Sequence, residues 1–193
     1  NDITDAPQGK IYYGIMCYPH GGSVDDLLVY AMGESKYLLV VNASNIDKDH
    51  AWIVEQSKGY DVVIDNQSDY YGQVAVQGPG SEEIVERLLG LAVSDLAFYT
   101  FKEIAVEGET IIASRTGYTG EDGFELYGSH AYINKVWDAL IASGESVPCG
   151  LGCRDTLRFE VALPLYGHEL SDDITPLEAG LGIFVKLDKE EFI

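Results

Sequence analysis

Cationic residues are scarce in this sequence. Lysine and arginine together number 12 among 193 residues, against 32 aspartates and glutamates, and the formal net charge at pH 7 is −20. Such a surface repels nucleic acid and anionic lipid, because phosphate binding depends on a cationic patch that releases counterions. We therefore expect no nucleic acid and no membrane among the partners of this chain.

Long apolar runs are also lacking. No stretch of about 18 apolar residues occurs, so the sequence predicts no membrane-spanning helix. No basic segment followed by an apolar one opens the chain, which argues against a secretory signal. The chain starts at Asn1 without a methionine and stops at the apolar Ile193, so we expect a fragment or a processed chain.

Cysteine is rare and odd in number, with Cys17, Cys149 and Cys153. An odd count argues against a disulfide framework and for a reducing compartment. Cys149 and Cys153 form a C-x3-C pair, but no histidine or second pair lies near enough to complete a tetrahedral zinc site. The sequence therefore predicts no metal.

Apolar residues make up 46% of the chain, and their spacing predicts hairpins mixed with helices. Strands are expected at Ile11–Tyr18, Val24–Tyr30, Tyr37–Val41 (as a buried strand), Val62–Ile64, Gln73–Val76, 98–106, 110–115, Phe124–Tyr127 and Phe184–Leu187. Helices are expected with caps at Ser44, Ser81 and Ser129, and over residues 153–162. This order indicates an α+β fold with mostly antiparallel sheets and packed helices, as one core over residues 1–193.

The stretch "RTGYTGEDGFELY", residues 115–127, has three glycines at three-residue spacing. A phosphate loop would need a helix directly after the glycines, but Phe124–Tyr127 has the pattern of a strand. The acids also lack the alternating spacing of a calcium loop. The stretch is therefore interpreted as a tight loop that fixes Tyr118 and presents Glu125 on a strand.

Two roles remain open for Glu125, because its neighbours in the strand are apolar. It is either an exposed strand residue or a partly buried carboxylate. In the second case its two oxygens would accept paired N–H donors from a flat heterocycle, and those donors would hold its pKa down.

Asp25 and Asp26 lie in the apolar segment "VDDLLV", where successive side chains point to opposite faces. At least one carboxylate is then expected to face inward, and carboxylates are seldom buried without a partner or a task. The alternative is that both belong to the turn after Gly21 and Gly22 and are solvated.

Arg154 and Arg158 lie one helical turn apart, and the chain has four arginines in all. One interpretation is a surface ladder of ion pairs with Asp155, which contributes little to stability. The other is an arginine aimed at a carboxylate or carbonyl of a ligand, where a guanidinium gives directional binding.

Six consecutive blocks of the chain resemble the aminomethyltransferase family, the T-proteins of the glycine cleavage system. The blocks are "GGSVDDLLVY", "VVNASNIDKDHAWI", "VAVQGPGSEEIVERL", "SRTGYTGEDGFELY", "GLGCRDTLRFEVALPLYGHEL" and "ITPLEAGLGIFVKLDK". They occur in the family's order from about Gly9 onward. The chain resembles the middle of the family, without its N-terminal segment and its C-terminal barrel domain.

The resemblance implies a tetrahydrofolate-dependent transfer, which takes place in the cytoplasm of a bacterium or in the mitochondrial matrix of a eukaryote. The aminomethyl group comes from the lipoyl arm of the H-protein, and the products are 5,10-methylenetetrahydrofolate, ammonia and the dihydrolipoyl H-protein. By resemblance, Asp26 is the essential carboxylate near folate N5, Glu125 contacts the pterin and Arg154 contacts the folate site. Tyr118 and Asn42 match further positions of the pocket.

Other functions stay open beside this one. The scaffold is similar to the folate domain of dimethylglycine and sarcosine dehydrogenases, although no dinucleotide fingerprint occurs in this chain. A folate-binding protein without transfer activity is a further alternative, against which the retained Asp26 argues. Cys153 departs from the family, which usually has alanine there.

Overall fold

A computed structural model describes residues 3–189 of the chain. The chain divides into two compact units. The first unit combines the residues up to Asn66 with those from Pro164 onward, and the second unit comprises Gln67–Leu163. Each unit contains one antiparallel sheet, as the mixed pattern of hairpins and helices predicts.

The sheet of the first unit has three strands, β1 (Ile11–Cys17), β2 (Ser23–Gly33) and β3 (Lys36–Val40), in that order. Strand β2 is central and pairs antiparallel with both neighbours. The predicted burial of β3 is wrong: Tyr37 and Leu39 are both exposed. As the edge strand, β3 has a partner on one side only.

Helix α1 (Ile46–Gln56) follows a short 3-10 helix, Ala43–Asn45, at the end of β3. The predicted cap at Ser44 is wrong, because Ser44 lies inside the 3-10 helix and the N-cap of α1 is Asn45. The predicted strand Val62–Ile64 is absent as well. This apolar segment belongs to neither sheet, and Val63 is 96% exposed.

The returning segment from Pro164 onward is mostly irregular and attaches to β2 through its backbone. The Ser23 amide donates to the carbonyl oxygens of Ser171 (3.0 Å) and Ile174 (3.1 Å). The predicted strand Phe184–Leu187 is wrong: Gly182–Phe184 forms a 3-10 helix.

The sheet of the second unit has four strands in the order β4, β7, β6, β5, all antiparallel. Their bounds are β4 (Tyr71–Gln77), β5 (Phe101–Val106), β6 (Glu109–Ser114) and β7 (Gly123–Ser129). Strands β5 and β6 form the predicted hairpin, and both turn residues, Glu107 and Gly108, have positive φ as two-residue hairpin turns require.

Three helices belong to the second unit: α2 (Ser81–Leu89), α3 (His130–Ser143) and α4 (Leu151–Glu160). Helices α2 and α3 contact strands β4 and β7. The predicted cap at Ser129 is confirmed, since its hydroxyl accepts from the Tyr132 amide. The predicted cap at Ser81 is wrong: the N-cap is Gly80.

The core of the second unit is apolar and lies between its sheet and helices α2 and α3. Its fully buried members include Val85, Ile111, Phe124 and Leu126. Helix α3 turns Ile133, Val136 and Leu140 inward, whereas Trp137 and Ile141 flank this stripe and are 45% and 39% exposed.

Candidate functional site

Asp26 lies near the N-terminal end of β2, half-buried, with two hydrogen-bond donors on its carboxylate. The Tyr13 hydroxyl donates to Oδ2 (3.1 Å) from the adjacent strand β1, and the Asn42 amide donates to Oδ1 (3.0 Å). Burial and then the nearby charge of Asp25 raise the pKa of Asp26, while the two donors oppose that shift. Asp26 is therefore a stronger base than an exposed aspartate.

Asn42 lies two residues after strand β3, at the N-cap of the 3-10 helix, and its side chain contacts β2. Its Nδ2 atom donates to Asp25 Oδ1 (2.8 Å) as well as to Asp26 Oδ1. One amide group thus holds both carboxylates of β2. The predicted pocket residue Asn42 contacts the predicted catalytic residue Asp26 directly.

Asp25 and Asp49 are fully buried in the first unit. The inward carboxylate that the β2 pattern predicts is therefore Asp25. The two side chains lie in hydrogen-bonding contact. Burial, and then this contact with Asp25, raise the pKa of Asp49 to about 8.

Lys48 is the cation of this region, and its ammonium is already engaged. It donates to the Val24 carbonyl (2.5 Å) and to the Tyr166 hydroxyl (2.6 Å). The Tyr166 hydroxyl in turn donates to Asp172 Oδ1 (2.6 Å), which holds the pKa of Asp172 below its usual range. Lys48 therefore ties α1 to β2 and to the returning segment.

Glu125 lies on β7 in the second unit and is half-buried, with three side-chain donors around it. Gln73 donates to Oε1 (2.7 Å), and the hydroxyls of Thr116 and Tyr127 (3.2 Å) donate to Oε2. A carboxylate offers about four acceptor positions, so one remains for another donor. From the sequence, we expect a flat heterocycle to supply the donors to Glu125. In the structure, side chains of this protein supply most of them.

Two side chains, Arg115 and Gln77, hold the glycine-spaced loop of residues 115–127 in place. Arg115 pairs with Asp122 through both carboxylate oxygens (2.9 and 2.5 Å). Gln77 donates to the carbonyl of Thr116 (3.1 Å). A Cβ atom on Gly117 would lie 1.8 Å from the Gln77 amide oxygen, so any other residue here would displace the Gln77 amide.

Tyr118 and Arg154 lie together in the second unit, with the guanidinium carbon 4.2 Å from the ring centroid. Such a stack orients a cation and leaves its N–H groups available at the edges. Arg158, one turn further along α4, is buried and donates to Asp155 and to the Leu163 carbonyl. Of the two arginines on α4, Arg154 is therefore the one with an exposed head.

The predicted site residues fall in both units. Asp26 and Asn42 belong to the first unit and contact each other, whereas Glu125, Tyr118 and Arg154 belong to the second. The sequence interpretation missed Tyr13 and Asp49. Asp49 had a signal, because it follows Ile46 by three residues and so falls on the apolar face of α1.

Within residues 3–189, no group of three or more histidine, cysteine, aspartate or glutamate side chains has the arrangement of a metal site. The same residues include no helix that is both long and apolar enough to cross a membrane.

Comparison with known families identifies the chain. The family model described as the GCVT N-terminal domain matches residues 1–189 and thus spans both units. The chain belongs to this family. The α+β fold with antiparallel sheets is the fold of this GCVT domain, and the resemblance noted from the six sequence blocks is confirmed.

Similar proteins of this GCVT family carry the name aminomethyltransferase. Those of Lysinibacillus sphaericus (strain C3-41) and Bacillus subtilis (strain 168) are each 53% identical, over 100% and 98% of this chain. The crystal structure of glycine cleavage system aminomethyltransferase T from Bartonella henselae aligns over 97% of the chain with a TM-score of 0.88 and 28% identity. The chain spans about half the length of these proteins: 54%, 53% and 50%.

Proposed function

We propose that this chain forms the folate-binding and catalytic part of an aminomethyltransferase of the glycine cleavage system. The reaction takes an aminomethyl group from the lipoyl arm of the H-protein and yields 5,10-methylenetetrahydrofolate and ammonia. Membership of the GCVT family and the names of the relatives support this reaction. The partners are then tetrahydrofolate and the lipoylated H-protein.

Asp26 is the residue that we assign to the chemistry. Its half-buried carboxylate, held between Tyr13 and Asn42, is the observation that carries the proposal. Tetrahydrofolate, when bound, supplies the nitrogen nucleophile that takes up the one-carbon unit. A carboxylate with a raised pKa can either accept a proton from such an amine or, while it is ionised, stabilise positive charge that develops beside it.

Glu125, Tyr118 and Arg154 are the residues that we assign to holding the folate. Glu125 has one acceptor position left, which suits an N–H donor on a flat heterocycle. Arg154 has an exposed guanidinium steadied on the Tyr118 ring, which suits a carboxylate or carbonyl group. Asn42 contributes by orienting Asp26. These residue types fit tetrahydrofolate, which offers both kinds of group.

The test is the substitution Asp26→Asn, which keeps the size of the side chain and removes its charge. Formation of methylenetetrahydrofolate by the full-length protein with lipoylated H-protein should fall by about 100-fold or more, the usual contribution of a positioned acid or base. Asp47→Asn, on the exposed side of α1, is the matched control and should retain turnover. Turnover of Asp26→Asn within about twofold of the wild type would overturn the assignment.

A further inference from the structure

The first unit buries two carboxyl groups that the proposed reaction does not use. Asp25 and Asp49 are both fully buried, and neither is assigned to contact a substrate. Asp25 comes from the central strand β2 and Asp49 from helix α1, so two different elements bring these carboxyl groups together. Buried carboxyl groups need a partner, because water no longer solvates their charge.

The hydrogen bonds of this pair are incomplete unless a proton is present. Asp25 Oδ1 accepts from Asn42, but Asp25 Oδ2 and both oxygens of Asp49 are buried without any N–H or O–H donor from the described residues. An ionised carboxylate has no hydrogen to donate. The contact between the two side chains becomes a hydrogen bond only when one of them is a carboxylic acid.

Nearby cations do not replace that proton. Lys48 neighbours Asp49 on α1 and lowers the pKa of Asp49 through its charge, but its ammonium donates to Val24 and Tyr166. Other titratable groups whose charges act on the pair include Asp26 on β2, Tyr18 after β1 and Tyr166 in the returning segment, and these three are acids or phenols. Two full negative charges would be unfavourable in these surroundings.

We propose that Asp49 is a carboxylic acid at neutral pH, that it donates a hydrogen bond to Asp25, and that this pair positions Asp26 through the shared amide of Asn42. Asn42 donates to Asp25 Oδ1 and Asp26 Oδ1 at once, so a shift of Asp25 moves the donor of Asp26. The positioning role rests on the function proposed above, whereas the shared proton does not. Asp49 is thus a positioning residue.

The raised pKa of Asp49 sets the pH range over which the pair keeps its shared proton. The native state holds the proton up to about pH 8, whereas an unfolded aspartate releases it near its ordinary value of 3.8. The contribution of Asp49 to stability is therefore complete below that ordinary value and is lost as the pH rises to about 8. Above this range Asp49 adds a negative charge near Asp25 and Asp26.

Infrared spectroscopy on the full-length protein, labelled with carbon-13 in its aspartate carboxyl groups, tests the proton directly. At neutral pH we expect the carbonyl band of a protonated aspartic acid, which disappears as the pH rises through about 8. Asp49→Asn should abolish the band, and the matched control Asp47→Asn, on the same helix, should keep it. Absence of the band from the wild type, or its persistence in Asp49→Asn, would overturn the shared proton.

The pH dependence of kcat and of unfolding tests the positioning role. In the wild type, kcat should decline as the pH rises through about 8, and the free energy of unfolding should decline between the ordinary value of 3.8 and about 8. In Asp49→Asn, whose amide also donates to Asp25 and cannot ionise, both declines should disappear. An unchanged decline of kcat in Asp49→Asn would overturn the positioning role. If instead Asp26→Asn stays active, the proposed function is wrong. The infrared band still tests whether Asp25 and Asp49 share a proton.

Discussion

The two units of this molecule bury different chemistry. The second unit encloses an apolar core, built from residues such as Val85, Ile111 and Phe124. The first unit buries Asp25 and Asp49 beside its central strand. An apolar core is stabilised by the area it removes from water, whereas buried carboxyl groups cost free energy unless hydrogen bonds and protons compensate. Its apolar core thus stabilises the second unit, whereas the first unit carries the costly groups.

The two carboxylates of the proposed site, Asp26 and Glu125, also lie in different surroundings. Burial and the charge of Asp25 raise the pKa of Asp26, which makes it suited to proton chemistry. Glu125 instead accepts from three uncharged donors, Gln73, Thr116 and Tyr127, and so holds a fixed orientation. These different surroundings support the proposal that Asp26 reacts and Glu125 binds.

Among the substitutions that test this comparison, we expect the largest effect in the glycine-spaced loop that precedes Glu125. Gly117→Ala would force its Cβ against the Gln77 amide and displace the bond to Thr116. Leaving that buried acceptor unpaired should lower the free energy of unfolding by about 1–3 kcal/mol. Urea unfolding of the full-length protein without ligand measures this loss.

Gly152→Ala is the matched control for that substitution, because it lies in helix α4 of the same unit with open space at its Cβ. Alanine is the better helix former, so this change should stabilise the protein by about 0.5–1 kcal/mol. Equal effects of the two substitutions would show that packing does not require glycine at position 117.

A smaller effect is expected for the Arg154–Tyr118 stack. Arg154→Ala removes both the cation over the ring and the exposed guanidinium, so tetrahydrofolate binding should weaken by about 1–2 kcal/mol, roughly five- to thirtyfold. Titration calorimetry with the full-length protein measures it. Arg87→Ala, which removes an exposed arginine of the same unit paired with Glu83 and Glu145, should bind as the wild type does. Wild-type affinity in Arg154→Ala would remove Arg154 from the binding site.

Local patterns predicted much of the fold. The spacing of apolar residues located β2, β4 and the two strands of the β5–β6 hairpin, and Ser129 located the start of α3. The strand predicted after the glycine-spaced loop is confirmed as part of β7. These features succeed because hydrogen bonds or turn geometry within a few residues determine them.

The failures have tertiary causes. Val62–Ile64 and Phe184–Leu187 have the composition of strands, but a strand needs a neighbouring strand with which to pair, and local sequence does not reveal that neighbour. Ser44 resembles a helix cap, yet a 3-10 helix occupies residues 43–45 and moves the start of α1. Burial of β3 was overestimated because an apolar run does not distinguish an edge strand from a central one.

The site was predictable only in part for the same reason. The sequence pattern indicated an inward carboxylate at Asp25 or Asp26, but not the contact of Asp25 with Asp49, because these two residues are distant in the chain. Likewise, the motif around Glu125 is visible in the sequence, whereas the donors from Gln73 and Thr116 appear only once β4 and β7 are paired.

The central claim is that Asp26 performs chemistry and Glu125 holds the folate. It is tested most directly by measuring kcat, and KM for tetrahydrofolate, for Asp26→Asn and Glu125→Gln side by side. We predict that Asp26→Asn loses about 100-fold or more in kcat with little change in KM, and that Glu125→Gln raises KM about tenfold with little change in kcat. A reversed pattern, or the same loss of kcat in both variants, would contradict the account.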